Sequence, residues 1–315
     1  MKEVEEIRLY REGDEIGITR LFYEVFGREM SLEEWRWKYT GRGNRKVYSA
    51  VAVNEMDGIV AHYGGMPHRM IYQGREVYGL AIGDVMVHAK YRRPKLFKEV
   101  ASLVPEEAVK DGIILGYGFP NDRALRLPEK LGLYEKIEDV CEANKEATFR
   151  NTPARYVYKL FPLRYDDSKI DNLWDEVKDS YVLSVVRNGD YLRWRYQRHP
   201  LFSYELWGLR KRWSSRLCGL AVLRREDERG RVLIVDFVCP AHEMDALFQK
   251  IENVVYGKKR LTLWHPEHLK QKITQMGFSV GFAGTSVPRT THKQTLRKNE
   301  MAGRFFYTMG DTDFL

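Results

Sequence analysis

Apolar and polar positions recur along this chain with two different periods, and the switch from one to the other marks out its elements. Ile16, Ile18, Leu21, Phe22 and Val25 fall on roughly one face at helical spacing, which predicts a helix from about Asp14 to Phe26. Ser31-Leu32-Glu33-Glu34 has the form of a capping box, with Ser31 as cap and Glu34 reaching back, and opens a helix carrying Trp35 and Trp37. Strand-like runs cover Glu6 to Tyr10, Val47 to Val53 and Ile59 to Met66, the last two joined as a hairpin across Asn54-Glu55-Met56-Asp57-Gly58. A long strand over Gly79 to His88 leads through a basic turn into a helix from about Lys95 to Lys110. A buried strand over Ile113 to Phe119, a helix over Asp122 to Leu131, and extended pieces at Tyr134 to Glu142 and Ala147 to Phe149 follow.

Residues from about Asn151 to Lys169 carry Pro153, Pro162 and mixed charge, and read as a linker. The pattern then restarts with helices over Asn172 to Tyr181 and Asp190 to Gln197, and strands over Tyr204 to Leu209, Leu217 to Arg224 and Arg231 to Val238. A helix over His242 to Val255, a strand over Arg260 to Trp264 and a helix over Glu267 to Met276 complete it, and Arg304 to Met309 alternates as a last strand.

The restart is a repeat. Trp37-Lys38-Tyr39 and Trp194-Arg195-Tyr196 close matching helices, and Asp84 and Asp236 sit on matching strands. Pro120 and Pro266 end later strands, and Leu131-Gly132-Leu133 matches Met276-Gly277-Phe278. The offsets shrink from 157 to 145 residues, as in a duplication with small loop deletions. Such a period is that of a whole domain, not of a solenoid. It predicts two units, residues 1–150 and 171–315, joined by a linker over 151–170.

At 315 residues, 43% hydrophobic and 13% aromatic, the chain can bury two cores. Met1-Lys2-Glu3-Val4-Glu5-Glu6 is charged, unlike a signal peptide, and no apolar run approaches the ~20 residues of a bilayer span, so no membrane insertion is expected. Cys141, Cys218 and Cys239 are odd in number and lack metal spacing, which points to a reducing cytoplasm. The net charge of +8 calls for an anionic partner such as a phosphorylated cofactor, nucleic acid or a membrane surface. Most of the clusters that carry it, Arg92-Arg93, Arg210-Lys211-Arg212, Arg224-Arg225 and Lys258-Lys259-Arg260, read as solvated loops. His265 and His268 have no third ligand near them, so no metal is expected. Trp37 and Trp194, at equivalent places in the two units, read as helix-to-sheet packing anchors and not as a nucleic-acid stacking platform. No nucleic-acid partner is expected.

The segment Gly83-Asp84-Val85-Met86-Val87-His88-Ala89-Lys90-Tyr91-Arg92-Arg93-Pro94-Lys95-Leu96-Phe97 resembles the fourth strand, basic turn and following helix of the GNAT acyltransferases. Gly118-Phe119-Pro120-Asn121-Asp122-Arg123-Ala124, followed by Glu129-Lys130-Leu131-Gly132-Leu133, is similar to that family's strand-Asn-x-x-Ala-helix-x-x-Gly-Phe element. The motif match covers about residues 83 to 133, and the order of elements covers nearly the whole chain. The resemblance implies an α/β (mixed α+β sheet) fold with tandem GNAT-like domains. It also implies that acetyl-CoA binds the first unit as acyl donor through Met86, Val87, Arg92, Arg93, Lys95, Leu96, Phe97 and Asn121. Backbone N–H groups at a helix start, with the helix dipole, make such a turn an anion site. Arg93 and Lys95 stand where the family usually has glycines, and Pro128 where many members have a tyrosine that protonates the leaving thiolate. In the second unit the matching turn, Cys239-Pro240-Ala241-His242-Glu243-Met244-Asp245, has no glycine and carries acidic residues, so that unit is expected to bind no CoA.

The activity expected is transfer of an acetyl group from CoA to a small-molecule primary amine by direct attack, since no cysteine or serine near the site has an activating partner. His88, at the strand end, is the expected proton acceptor. Tyr117 or Tyr134 is the expected acid in place of Pro128, with Asp311 and Asp313 of the tail as lesser candidates, and backbone N–H near Val87 would polarise the thioester carbonyl. Asp84, having a counterpart in Asp236, is expected to be structural. Two other readings stand beside this one, a Fem-type aminoacyl transferase using charged tRNA and a non-catalytic acyl-CoA-binding or interaction protein. The first would ignore acetyl-CoA, and the second would bind it without releasing thiol.

Overall fold

The structure is a computed structural model that describes residues 3–41, 43, 46–149, 151–255, 257, 259–293 and 295–312, with Arg155 described by its backbone alone. Lys258 and Asp313 lie outside the described residues.

The first half contains β1 (Glu6–Leu9), α1 (Asp14–Phe26), α2 (Leu32–Tyr39), β2 (Tyr48–Asn54), β3 (Gly58–Tyr72), β4 (Arg75–Val87), α3 (Pro94–Lys110), β5 (Ile113–Tyr117), α4 (Asp122–Lys130) and β6 (Tyr134–Glu146). The second half repeats this order as β7 (Tyr158–Pro162), α5 (Lys169–Val177), α6 (Gly189–Leu192), β8 (Glu205–Lys211), β9 (Leu217–Glu226), β10 (Arg231–Val238), α7 (Met244–Val255), β11 (Arg260–His265), α8 (Lys270–Gln275) and β12 (Ser279–Thr290). α6 runs on as a wider turn over Arg193–Gln197. Two short strands, Leu183–Val185 and Phe305–Phe306, pair with each other beside β3.

All the principal strands join one mixed sheet in the order β1-β2-β3-β4-β5-β12-β6-β11-β10-β9-β8-β7. Read from either end, this is a palindrome of counterparts. Its centre is an exchange. β12 of the second half lies between β5 and β6, and β6 of the first half lies between β12 and β11, antiparallel to both. α1, α2, α5 and α6 pack on one face over a core shared by both halves, which includes Ile18, Trp35, Ile170 and Trp194. α3 and α7 each cover their own core on the opposite face. Among the described residues no helix is long and apolar enough to cross a membrane.

Trp37 and Trp194 meet each other at the middle of the shared core. Their rings stack at 5.3 Å, and each indole N–H donates to the other's carbonyl oxygen, at 2.8 and 2.9 Å. Their equivalent places in the sequence predict helix-to-sheet packing for both. They are instead a reciprocal clasp between the two helices.

Three further differences have local causes. The linker contains β7, because Tyr158–Pro162 pairs antiparallel with β8 as the counterpart of β1. Ser279–Thr290 is a strand that the periodicity did not predict, since Gly281, Gly284 and Pro288 interrupt its alternation. Ser31 caps α2 by accepting from the Glu34 N–H at 3.0 Å, but the Glu34 side chain pairs with Arg28 at 3.1 Å.

Candidate active site

β4 and β5 pair in parallel only from Tyr78 to Ala81, opposite Ile113 to Tyr117. Beyond Ala81, β4 continues to Val87 against β3 alone, so the two strands splay and leave a V-shaped opening. An extra residue at Asp84 bends β4 at this point. Its φ of 49° is left-handed, and its register with β3 shifts there. For a non-glycine residue that conformation costs roughly 1–2 kcal/mol.

A buried network holds the bulge. Lys38 Nζ and Tyr39 Oη donate to the Asp84 carboxylate, each at 2.9 Å. His62 Nδ1 lies 2.7 Å from the Asp84 carbonyl oxygen, so it carries the proton, and Nε2 accepts from Ser49 Oγ at 2.7 Å. Gly64 makes room for this arrangement, because a Cβ there would stand 2.2 Å from Tyr39 Oη. Burial pushes the Asp84 carboxyl up, but the Lys38 ammonium, His62 and Tyr39 overcome it and hold the group below the ordinary carboxylate range. Lys38→Met would strand that carboxylate and should destabilise the protein by about 3–5 kcal/mol. Thermal unfolding checks this, and Asp84→Asn added to Lys38→Met should recover part of the loss.

The opening leads into two connected spaces that share Phe26, Val85, Pro120, Asn121, Ala124 and Tyr134. The outer cleft, about 580 Å³, runs from Arg92, Arg93 and Pro94 along Val87 and Met86. The inner chamber, about 230 Å³, is bounded by Ile82, Asp84, Tyr117, Gly118 and Thr290. At the outer end α3 begins without a side-chain cap, its first intrahelical bond being Phe97 N–H to Arg93 O at 3.1 Å. The preceding N–H groups of the first turn thus remain available to an anion.

The structure therefore brings together Met86, Val87, Arg92, Arg93, Phe97 and Asn121. Lys95 and Leu96 do not line the cleft. The Lys95 side chain is 86% exposed and 3.9 Å from Glu99, and Leu96 is buried beneath α3. Only their backbone belongs to the helix start. Arg123 joins the mouth from α4, and Thr290 enters the chamber from the second half. The sequence reading missed both, although Arg123 stands inside the quoted Asn121 motif.

The expected catalytic residues separate. Tyr134 lines both spaces and its hydroxyl donates to Tyr63 Oη at 2.8 Å; burial pushes its pKa up, so it stays protonated at neutral pH. Tyr117 lines the inner chamber, with its hydroxyl 2.7 Å from His68 Nδ1. His88 is not among the lining residues. Its Nδ1 accepts from the Lys90 N–H at 3.3 Å, capping a short turn, and its Nε2 lies 3.9 Å from Glu24 on α1.

The second half has its own splay, since β10 and β11 pair only from Arg231 to Leu233. The chain's last described segment packs against both strands there. Arg187, fully buried, bridges Asp236 at 2.8 Å and Asp311, while Arg195 donates to the carbonyls of Gly310 and Thr312 at 2.8 and 3.0 Å. Tyr196 Oη donates to Asp236 at 2.8 Å, as Tyr39 does to Asp84. The tail candidate Asp311 therefore belongs to this buried cluster. Burial and the Asp236 charge push its carboxyl up to about 6, against the pull of Arg187. A raised folded-state pKa means that the native state holds its proton longer than the unfolded chain, so this group's contribution to stability falls as pH rises from about 4 to 6. Denaturant titrations should show that decline, on the order of 2–3 kcal/mol, in the wild type and not in Asp311→Asn.

Residues 6–136 match the family model described as an acetyltransferase (GNAT) domain. Comparison with curated proteins gave no match. Among solved structures, a probable N-acyltransferase of Enterococcus faecalis aligns over 92% of this chain and 73% of its own, with TM-score 0.70 and 15% identity. A GCN5-related N-acetyltransferase of Anabaena variabilis aligns over the same shares, with TM-score 0.70 and 13% identity. The N-myristoyltransferase of Saccharomyces cerevisiae with bound myristoyl-CoA aligns over 90% of this chain and 82% of its own, with TM-score 0.59 and 10% identity. At these identities the likenesses speak for the fold, a mixed α/β sheet of the acyl-CoA N-acyltransferase type. The likeness in sequence to the GNAT acyltransferases is carried by residues 6–136.

Proposed function

We propose that this protein transfers an acyl group from acyl-CoA, acetyl-CoA being the smallest donor, to the primary amine of a small acceptor. The observation that carries this reading is the continuous path from the uncapped start of α3, flanked by Arg92 and Arg93, along Met86 and Val87 to a chamber beside Tyr134. The phosphates of CoA belong at the first end and the thioester at the second. The amine lone pair attacks the thioester carbon, whose oxygen is polarised by backbone N–H at the splayed part of β4. The carbon–sulfur bond then breaks and the thiolate takes a proton from Tyr134. Tyr134 then recovers a proton from solvent at the cleft, which has taken up the one shed by the amine. His88 faces Glu24 outside the cleft, which supports a capping role over that of proton acceptor.

The same reading makes the chain two GNAT-like copies, residues 1–150 and 171–315 joined by 151–170, working in a reducing cytoplasm. The palindromic sheet and the matched Tyr39–Asp84 and Tyr196–Asp236 pairs support it. Only the first copy would bind CoA, because the tail from Tyr307 to Thr312 packs against the splayed strands of the second. Calorimetry with CoA should give one site per chain. Arg92→Glu with Arg93→Glu should weaken it roughly 10- to 100-fold through lost charge-assisted hydrogen bonds. Lys95→Glu, at an exposed side chain, should change it by less than about threefold. Two sites, or a charge reversal without effect, would overturn the assignment.

A further inference from the structure

The inner chamber is larger than the smallest donor requires. It begins beside Tyr134, where it shares Val85 and Asn121 with the outer cleft, and follows β4 inward past Asp84 to Ile82. It ends where β4 and β5 close into a ladder at Ala81 and Tyr117. From Val85 to Ala81 a strand covers roughly 10–13 Å. An acetyl methyl reaches only about 1.5 Å beyond its carbonyl carbon. The chamber's volume is about 230 Å³. The three non-hydrogen atoms of an acetyl group, at the ~30 Å³ that a water molecule takes in the liquid, would fill about 90 Å³. More than half of the space would stay empty.

The fold keeps that space open and apolar. Gly118 leaves room where β5 runs out past β4, since a Cβ there would stand 3.0 Å from the Ile82 carbonyl oxygen. The second half supplies part of the wall, because Arg289 pairs with Tyr117 and sets Pro288 beside the chamber. Ile82, Phe119 and Pro120 are further walls, so water held there is poorly matched, and aliphatic carbon that replaces it binds favourably. Each added methylene should tighten binding about fourfold until the space is full. A charged end group would lose its water without gaining a partner, because Asp84, at the chamber's border, is already engaged by Lys38.

We propose that the donor's acyl group occupies this chamber, that it is a neutral aliphatic chain of about four to six carbons, and that Ile82 limits its length. Seven non-hydrogen atoms, those of a six-carbon acyl group, would take up about 210 Å³ on the same measure. Ile82 borders the inner chamber and not the outer cleft, so it acts on the acyl chain and not on the path of the CoA arm. This inference rests on the reading of the cleft as the acyl-CoA site.

Calorimetry with free CoA and with acetyl-, butyryl-, hexanoyl- and decanoyl-CoA tests it, with thiol release in the presence of an amine as a second readout. The wild type should bind butyryl-CoA about tenfold tighter than acetyl-CoA, and hexanoyl-CoA at least as tightly as butyryl-CoA. Decanoyl-CoA should fall at least about tenfold below the best donor, because its chain exceeds the chamber. Ile82→Ala should move the preferred chain longer, and Ile82→Phe should move it back toward acetyl. The readout is the ratio between donors within one protein, so a general loss of affinity in either variant cancels. Acetyl-CoA bound as tightly as butyryl-CoA by the wild type, or a donor order that neither Ile82 variant shifts, would overturn the proposal while the donor reading stood. Failure of free CoA to bind the wild type would overturn both.

Discussion

Tyr134→Phe should lower turnover by roughly 100-fold while leaving acyl-CoA affinity within about twofold. The substitution keeps the ring that lines both parts of the cleft and removes only the hydroxyl. The size of the effect follows from what the hydroxyl does. A thiolate with an ordinary pKa near ~8.5 can leave unaided, so the loss should sit at the low end of the range for general acids. Burial raises the Tyr134 pKa, so the acid keeps its proton and stays neutral throughout the neutral and mildly alkaline range. The wild-type pH–rate profile should therefore show no alkaline fall attributable to this group. Single-turnover measurement of thiol release separates the cases. Full activity in Tyr134→Phe would remove the acid assignment, and a matching loss of affinity would make the residue a wall of the cleft only. His88→Ala should retain most of its activity, in keeping with a side chain that caps a turn and faces Glu24.

The outer cleft was legible in the sequence because its parts are contiguous there. The strand from Gly83 to Val87, the arginines and the helix start follow one another within fifteen residues, and Asn121 sits in a recognisable strand-to-helix turn. Side-chain direction was not legible. Lys95 and Leu96 belong to the same turn as Phe97, yet the rotation of about 100° between successive helical residues sends one to solvent and the other into the core. The inner chamber depends on residues far apart in the chain. Tyr63 meets Tyr134 through the sheet, and Thr290 reaches Gly116 across the exchanged strands. One signal for β12 was present. The offset of 145 residues carries Tyr134 onto Ser279, so the duplication itself placed a strand where glycine and proline had hidden its alternation.

Residues 3–150 expressed alone should not form a folded monomer, and neither should residues 151–312. β6 draws both of its sheet neighbours, β12 and β11, from the other half, and the eleven of its thirteen residues that have ladder partners would lose them on separation. β12 would likewise lose β6 and β5. Backbone groups left unpaired beneath α4 and α8 cannot be repaid by local contacts. Trp37 would also lose the stacked ring and the carbonyl of Trp194, exposing a large apolar surface worth about 2–3 kcal/mol. The palindrome leaves one alternative for a lone half, which is to supply the missing strand from a second copy of itself. Light scattering and circular dichroism distinguish these outcomes: an unfolded chain or a dimer is expected. The two halves produced together, cut after Asn151, should assemble one-to-one and regain CoA binding, because Asn151 and Thr152 lie in no strand or helix. A stable, folded monomer of either half would show that the exchange at the centre of the sheet is dispensable, and that each half can close its own cleft.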